Sequence, residues 1–274
     1  MSLLEGRGIT VVAAHAVTDP AQLQATVGAA LAAHDVRLVV VGGGDGTVSE
    51  IVDRLADGDR VLGLLPLGTS NNFARTLGIP VGLAAAVDVI ATGKVADVDL
   101  GRIGDDYFAN VASLGLSARV AASVPGWAKR YFGRLGYAIT GLAAIASQSP
   151  FEATLNVDGT THRLAAQQLV IAVGRFHAGR PITANASADD RRLDVHVIAT
   201  QRRWRLVRAL AGYVARRDDA LPDTLILSGS SVTVECTPPL PVEIDGELKA
   251  STPVRASVAA EALNVVVPPG FDDR

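Results

Sequence analysis

The residues best suited to do chemistry lie in the run Leu38-Val39-Val40-Val41-Gly42-Gly43-Gly44-Asp45-Gly46-Thr47. A β-branched apolar run that ends in glycines and restarts as the polar-capped stretch Val48 to Leu55 predicts strand, tight turn, helix. Glycine lets backbone N–H groups approach an anion closely, because no Cβ stands in the way. Asp45 inside such a turn would repel a bare phosphate. Its presence calls for a bridging cation, most simply Mg²⁺, or for a hydroxyl held nearby. The chemistry implied is a nucleotide-phosphate site that works through a metal, with plain turn geometry as the alternative.

A second strand-like run, Val61 to Leu65, leads into Pro66-Leu67-Gly68-Thr69-Ser70-Asn71-Asn72 and a short helix, Phe73 to Leu77, that stops at Gly78. Thr69 to Asn72 bring hydroxyls, amides and N–H groups to a helix start, the geometry that attracts anions. The two turns are about 25 residues apart, as expected for neighbouring parallel strands that share one crevice. Two ordinary capped helices are the bland alternative. Near the C-terminus, Val242-Glu243-Ile244-Asp245-Gly246-Glu247 reads by itself as a strand ending in an Asp-Gly turn. Phosphoryl transfer needs an acceptor for one proton, and Asp245 or Glu247 could be that acceptor.

Gly43 to Thr47, then Pro66 to Arg75, then Val242 to Glu247, in that order, resemble the diacylglycerol kinase catalytic-domain family. That family includes the soluble bacterial lipid kinases, ceramide kinases and sphingosine kinases. Asn110 to Gly115 and Asn185 to Val195 are similar to its weaker segments, so the likeness runs from roughly residue 9 to residue 268. NAD kinases share the first element and lack the second.

The resemblance implies ATP-dependent transfer of a phosphoryl group to a lipid hydroxyl, most simply that of diacylglycerol. ATP would lie around Gly43, Gly44, Asp45, Gly46, Thr47, Val48 and Ser49, with Thr69 and Thr18 as further contacts. Mg²⁺ would bridge the phosphates to Asp45, and Asp245 and Glu247 would carry the acid–base step. A structural Mg²⁺ is implied at Asp190 with the carbonyls of Ser187 and Arg192. Relatives open with a strand carrying an Asn-Pro-x-Ser-Gly turn, whereas Met1 to Gly8 look like the tail of the following helix. Other departures are Ser117, where many relatives carry aspartate, and Asp189-Asp190-Arg191-Arg192 in place of an Asp-Gly pair. The missing first strand gives the alternative reading of a catalytically inactive relative that binds lipid or nucleotide; a NAD kinase is a distant third. A sheet edge left open by an absent first strand would offer a surface to a second copy, a homodimer.

These motifs need elements to position them. From Ile9 to Asp97 the pattern is strand (Ile9 to His15), helix (Ala21 to Ala33), strand, helix, strand, helix, helix (Gly82 to Thr92), which predicts a parallel sheet with helices on its faces. From Val98 onward strand-like runs dominate, among them Leu164 to Val173, Val254 to Ser257 and Leu263 to Val267, with helical blocks at 126–147 and 200–217. The expected architecture is a Rossmann-like α/β domain, 1–97, followed by an antiparallel β-sandwich domain, 98–274, with the active site in the cleft between them.

Charge is uneven along the 274 residues. Residues 1–124 hold 8 Lys/Arg against 13 Asp/Glu, residues 125–217 hold 14 against 5, and residues 218–274 hold 3 against 10. The basic middle block suggests an anionic partner such as a phospholipid surface. Its strongest segments, Trp127 to Tyr137 and Gln201 to Leu210, mix arginines with aromatic and aliphatic residues at helical spacing. Amphipathic helices with a solvated basic face would look the same. No nucleic-acid reading module is visible, so a lipid substrate at a membrane surface is the expected partner and nucleic acid is not. The single cysteine, Cys236, and the lack of a secretory signal suit a cytoplasmic protein, peripheral at the inner membrane face where it meets lipid. The five histidines show no metal-ligand spacing.

Overall fold

The computed structural model describes residues 2–116, 149–174, 176–177, 180–181, 189–199 and 224–272. The helical blocks expected at 126–147 and 200–217, and the departure at Ser117, lie outside these residues. In chain order the elements are α1 (Ser2–Glu5), α2 (Pro20–Ala32), β1 (Leu38–Gly43), α3 (Asp45–Leu55), β2 (Val61–Pro66), α4 (Asn72–Thr76), α5 (Leu83–Thr92), β3 (Lys94–Ile103) and β4 (Asp106–Phe108). Strands then dominate: β5 (Val111–Gly115), β6 (Phe151–Val157), β7 (Thr160–Ala166), β8 (Gln168–Ala172), β9 (Phe176–His177), β10 (Arg180–Pro181) and β11 (Leu193–Ile198). The series closes with β12 (Thr224–Gly229), β13 (Ser231–Thr237), β14 (Pro241–Ile244), β15 (Glu247–Ser251) and β16 (Val254–Val267).

Two compact units emerge. One comprises residues 1–110, 173–192 and 258–274; the other comprises 111–172 and 193–257. Position 97/98, the division expected from the sequence, lies within β3. The first unit is completed by two later stretches of chain, which local patterning along the sequence does not reveal.

In the first unit, β1 and β2 run parallel with Val39 opposite Leu62 and Gly43 opposite Pro66. β2 is parallel to the end of β16 at Val265, β16 adjoins β3, and β3 turns antiparallel into β4. The sheet is therefore mixed, with parallel strands where the glycine turns emerge. Val48, Ile51, Val52 and Leu55 of α3 are buried, at the spacing that lines one face of a helix. They join a core built with Val39, Val41, Leu62, Leu64, Phe73 and Val265. α2 starts at Pro20 behind Asp19, whose carboxylate accepts the Gln22 N–H at 2.9 Å; a proline at the first position and an aspartate cap both favour a helix start there.

One expected strand is missing. Residues Ile9 to His15 have no regular structure, and among the described residues β1 pairs on one side only, with β2. A β-branched run becomes a strand only where a neighbour takes its N–H and C=O groups, and no neighbour stands beside this one among the described residues. Two other expectations are also corrected. The single strand expected over Leu164 to Val173 is two strands, β7 and β8, broken at the fully buried Gln167, whose N–H donates to the Ile198 carbonyl at 3.0 Å. The runs Val254 to Ser257 and Leu263 to Val267 form one strand, β16, that passes through Glu261 at φ 55°.

The second unit is a β-sandwich. One layer has the order β12-β11-β8-β5-β14-β15, antiparallel throughout. The other has β7, β6, β13 and the opening residues of β16, again antiparallel. Alternate residues are buried, such as Ala153, Leu155 and Val157 of β6 and Leu193, Val195 and Val197 of β11, the period-2 signature of strands facing a shared core.

α3, which carries the first turn, is anchored at its far end. The Tyr107 N–H donates to Asp53 Oδ1 of α3 at 2.7 Å, and the Tyr107 hydroxyl donates to Asp57 Oδ2 at 2.5 Å. The Arg102 guanidinium lies 5.3 Å from the centre of the Tyr107 ring. The hydrogen bond to Asp57, then burial, push the Tyr107 hydroxyl above its ordinary value of 10.0. A raised folded-state value means a contribution fully present below the unfolded value and lost as pH climbs through the folded one. Tyr107→Phe should therefore lose about 1–2 kcal/mol in urea unfolding near neutral pH. That difference should shrink as pH rises above the ordinary tyrosine value of 10.0. A pH-independent difference would contradict this.

Candidate active site

Because Gly43 and Pro66 are in register, the turns that follow β1 and β2 emerge side by side. The Leu67 N–H donates to the Gly43 carbonyl at 2.8 Å. A Cβ built on Gly68 would lie 2.4 Å from the Gly44 Cα, and one built on Gly44 would lie 2.9 Å from the Gly68 Cα. The two backbones thus touch where only glycine fits. Gly44 caps α3: its carbonyl accepts the Thr47 N–H at 3.0 Å and the Val48 N–H at 3.2 Å.

The second turn is closed by its own side chain. Asn71 Oδ1 accepts the Gly68 N–H and Asn71 Nδ2 donates to the Gly68 carbonyl, both at 2.9 Å, with Asn71 in the left-handed region at φ 50°. Asparagine tolerates that conformation and bonds local backbone readily. The Arg75 Nε–H donates to the Ser70 carbonyl at 2.8 Å. With Asn71 spent on Gly68, its side chain does not cap α4. The cap comes from the other turn: Asp45 Oδ1 accepts the Phe73 N–H at 3.1 Å. Asp45 therefore bolts the two turns together.

Gly43, Gly44, Asp45, Gly46, Thr47, Val48, Ser49 and Thr69 are thus gathered by the two adjoining turns. Val48 and Ser49 are buried, so the open rim is formed by Gly44 to Thr47 and the exposed Thr69. Thr18 is exposed in the irregular segment before α2.

Asp245 and Glu247 belong to the second unit, Asp245 in the turn between β14 and β15 and Glu247 at the start of β15. Asp245 sits in the left-handed region at φ 45°. Its N–H donates to the Val111 carbonyl at 2.9 Å, and its Oδ1 accepts the Val111 N–H at 2.9 Å. The carboxylate stands in for the backbone carbonyl that an ordinary antiparallel pair would present. Glu247 is exposed, and Lys249 Nζ lies 3.9 Å from its Oε2.

Of the residues proposed for a structural metal, Ser187 lies outside the described residues, and Asp190 Oδ1 accepts the Arg192 N–H at 3.1 Å. Among the described residues no group of three or more His, Cys, Asp or Glu side chains could hold a metal ion. Beside Asp190 lies a carboxylate that the sequence reading passed over. Asp99, buried in β3, accepts the Arg191 N–H at 2.7 Å and the Glu261 N–H at 3.0 Å. Both of those residues have positive φ. The available signal was a charge inside the apolar run Val98 to Ile103.

The diacylglycerol kinase catalytic domain family matches residues 2–103, and the YegS C-terminal NAD kinase beta sandwich-like domain matches residues 110–267. A diacylglycerol kinase of Bacillus subtilis (strain 168) is 29% identical over 240 residues, covering 84% of this chain and 78% of that protein. A protein of Enterobacter sp. (strain 638) named "Probable lipid kinase YegS-like" is 31% identical over 244 residues, covering 85% and 79%. A crystal structure of a diacylglycerol kinase from Bacillus anthracis str. Sterne superposes with TM-score 0.72 at 26% identity, covering 92% of this chain and 84% of that one. An α/β domain with paired glycine turns, followed by a β-sandwich, defines a lipid-kinase class of phosphotransferases with hydroxyl acceptors. The chain belongs to the diacylglycerol kinase and YegS-like lipid kinase family. No helix among the described residues is long and apolar enough to cross a membrane.

Three substitutions test the geometry. Gly68→Ala puts a methyl group into the Gly44 backbone and should cost about 1–3 kcal/mol in urea unfolding. Gly46→Ala meets nothing within 4 Å and should stay within about 0.5 kcal/mol of wild type. Asp99→Ala leaves the Arg191 and Glu261 N–H groups without their acceptor and should cost about 1–3 kcal/mol by the same measurement. Equal stability of Gly68→Ala and Gly46→Ala would contradict the contact between turns.

Proposed function

We propose that this lipid kinase transfers the γ-phosphate of ATP to a lipid hydroxyl, with diacylglycerol as the leading acceptor. The observation that carries the reading is the pair of interlocked turns. The N–H groups of Asp45 and Gly46 precede the first helical bonds of α3, where the helix dipole favours an anion. Open space beside Gly46 leaves room for phosphate oxygens, and Thr69 offers a hydroxyl from the adjoining turn. These residues fit a triphosphate, and Asp45 is the carboxylate able to face an accompanying Mg²⁺. When bound, ATP supplies the electrophilic phosphorus and Mg²⁺ neutralises charge on its oxygens.

The chain's own contribution is positioning. Asp45 holds α4 against α3 through the Phe73 N–H, and Asn71 fixes the shape of the second turn. In the second unit the bond from Val111 orients the Asp245 carboxylate, which suits it to accept the proton of the attacking hydroxyl. Glu247 is the neighbouring carboxylate, with Lys249 Nζ 3.9 Å from its Oε2. Diacylglycerol leads because the named relative from Bacillus subtilis is a diacylglycerol kinase; the YegS-like relative keeps other lipid hydroxyls in the panel.

The test is transfer of γ-labelled phosphate from ATP to a panel of lipids in mixed micelles. Asp245→Asn keeps an oxygen for the Val111 N–H but removes the proton acceptor, and should lower kcat by roughly 10²–10⁴. Gly46→Ala should fold normally yet raise KM for ATP roughly tenfold, because its methyl group enters the space meant for phosphate. Labelling of no lipid would overturn the kinase assignment, and wild-type turnover by Asp245→Asn would remove Asp245 from the chemistry.

A further inference from the structure

The β14–β15 turn has a second carboxylate beneath it. Glu243 lies opposite Ser113 of β5, and the Ser113 hydroxyl donates to Glu243 Oε2 at 3.0 Å. Ser113 is buried, 2% exposed, so this hydroxyl works in a place shielded from water. Two residues along β5, the Val111 N–H donates to Asp245 Oδ1 at 2.9 Å, just past the end of β14. β5 is therefore tied to β14 and its turn by two neighbouring carboxylates, Glu243 on the Ser113 hydroxyl and Asp245 on the Val111 N–H.

The other oxygen of Glu243 points to the turn. A Cβ built on Gly246 would lie 4.0 Å from Glu243 Oε1. On the far side of β14 the ladder to β15 shifts register between Val242 and Glu243, so that Glu243 pairs with Leu248 while Val242 pairs with Ala250. An irregularity of this kind bends the strand and re-aims nearby side chains. Here it falls at Glu243, two residues before Asp245. Asp245 and Gly246 both have positive φ, a conformation that costs free energy for aspartate unless its surroundings hold it there.

We propose that Glu243, clamped by Ser113, is a positioning residue for the acceptor step: it holds the Asp245–Gly246 turn so that the Asp245 carboxylate stays on the Val111 N–H. The proposal rests on the kinase reading above for its catalytic consequence, and on geometry alone for its structural one. Glu243 acts on the reaction through Asp245. A clamp of this sort needs an oxygen that accepts the Ser113 hydroxyl, and a glutamine amide supplies one as well as a carboxylate does.

Four variants of the full chain, Glu243→Ala, Glu243→Gln, Ser113→Ala and the double variant Glu243→Ala with Ser113→Ala, are compared in two measurements. In steady-state kinetics Glu243→Ala should lower kcat roughly tenfold to a hundredfold, the effect of a small displacement of a reacting group. KM for ATP should stay unchanged, and Glu243→Gln should recover most of the lost rate. Ser113→Ala should reproduce the Glu243→Ala defect, and the double variant should be no worse than either, because both remove one clamp. In hydrogen exchange of the protein without substrates, Glu243→Ala should speed exchange at the Val111 and Asp245 amides, and Glu243→Gln should not. Wild-type exchange at both amides in Glu243→Ala, or a Glu243→Gln rate as low as that of Glu243→Ala, overturns the proposal. If wild type labels no lipid the kinase reading falls, and the exchange measurement still decides whether Glu243 holds the turn.

Discussion

Everything in the first unit's site depends on one close approach, that of the Gly44 and Gly68 backbones. Two parallel strands in register deliver their C-terminal ends side by side, and each end is followed by a turn with no side chain at the point of contact. A methyl group at either position would meet backbone, which has no rotamer by which to yield. The approach brings Asp45 within reach of the Phe73 N–H, and that bond makes two local motifs one structure. The Asn71 side chain is thereby released from capping its own helix and is spent on shaping the turn.

The second unit uses the same chemistry differently. Asp245 replaces a backbone carbonyl in the ladder between β14 and β5, because its positive φ carries its own carbonyl out of register. In both units a motif aspartate is thus held by a backbone N–H. A carboxylate that accepts a backbone N–H is oriented before any substrate arrives, and no rotamer search remains to be made at the moment of reaction. Preorganisation of this kind is what a phosphotransferase can offer, since the covalent chemistry lies mostly in the nucleotide.

Much of this was legible in the residues. The strand at Leu38, the glycine break after it and the helix ending at Leu55 follow from a β-branched run and glycine punctuation, both local signals, although the helix opens at Asp45, inside the expected turn. The alternating apolar run Leu193 to Ile198 is a strand, β11. What local signals could not supply was a partner. Ile9 to His15 has strand composition but no neighbour to pair with among the described residues, so it stays irregular. β16 joins two runs across Glu261 because Asp99, far away in sequence, accepts the N–H there. The sequence does not mark the roles of Asp99, Ser113 and Glu243 for the same reason: each is an ordinary polar residue whose partner lies far off along the chain.

This has a consequence for how the motif acids respond to substitution. Replacing Asp45 or Asp245 by alanine removes a charge and at the same time strips a backbone N–H of its acceptor. Loss of activity in such a variant would combine a chemical effect with a misplaced turn, and the two are not additive. Asparagine separates them, because it retains one oxygen for the N–H while losing the capacity to hold a proton or face a cation as an anion. The distinction is sharpest at Asp45. There the bond to the Phe73 N–H requires only an oxygen at that site. The negative charge is therefore the part of Asp45 that the fold does not explain, and a metal-bound phosphate is the partner that would give it a purpose.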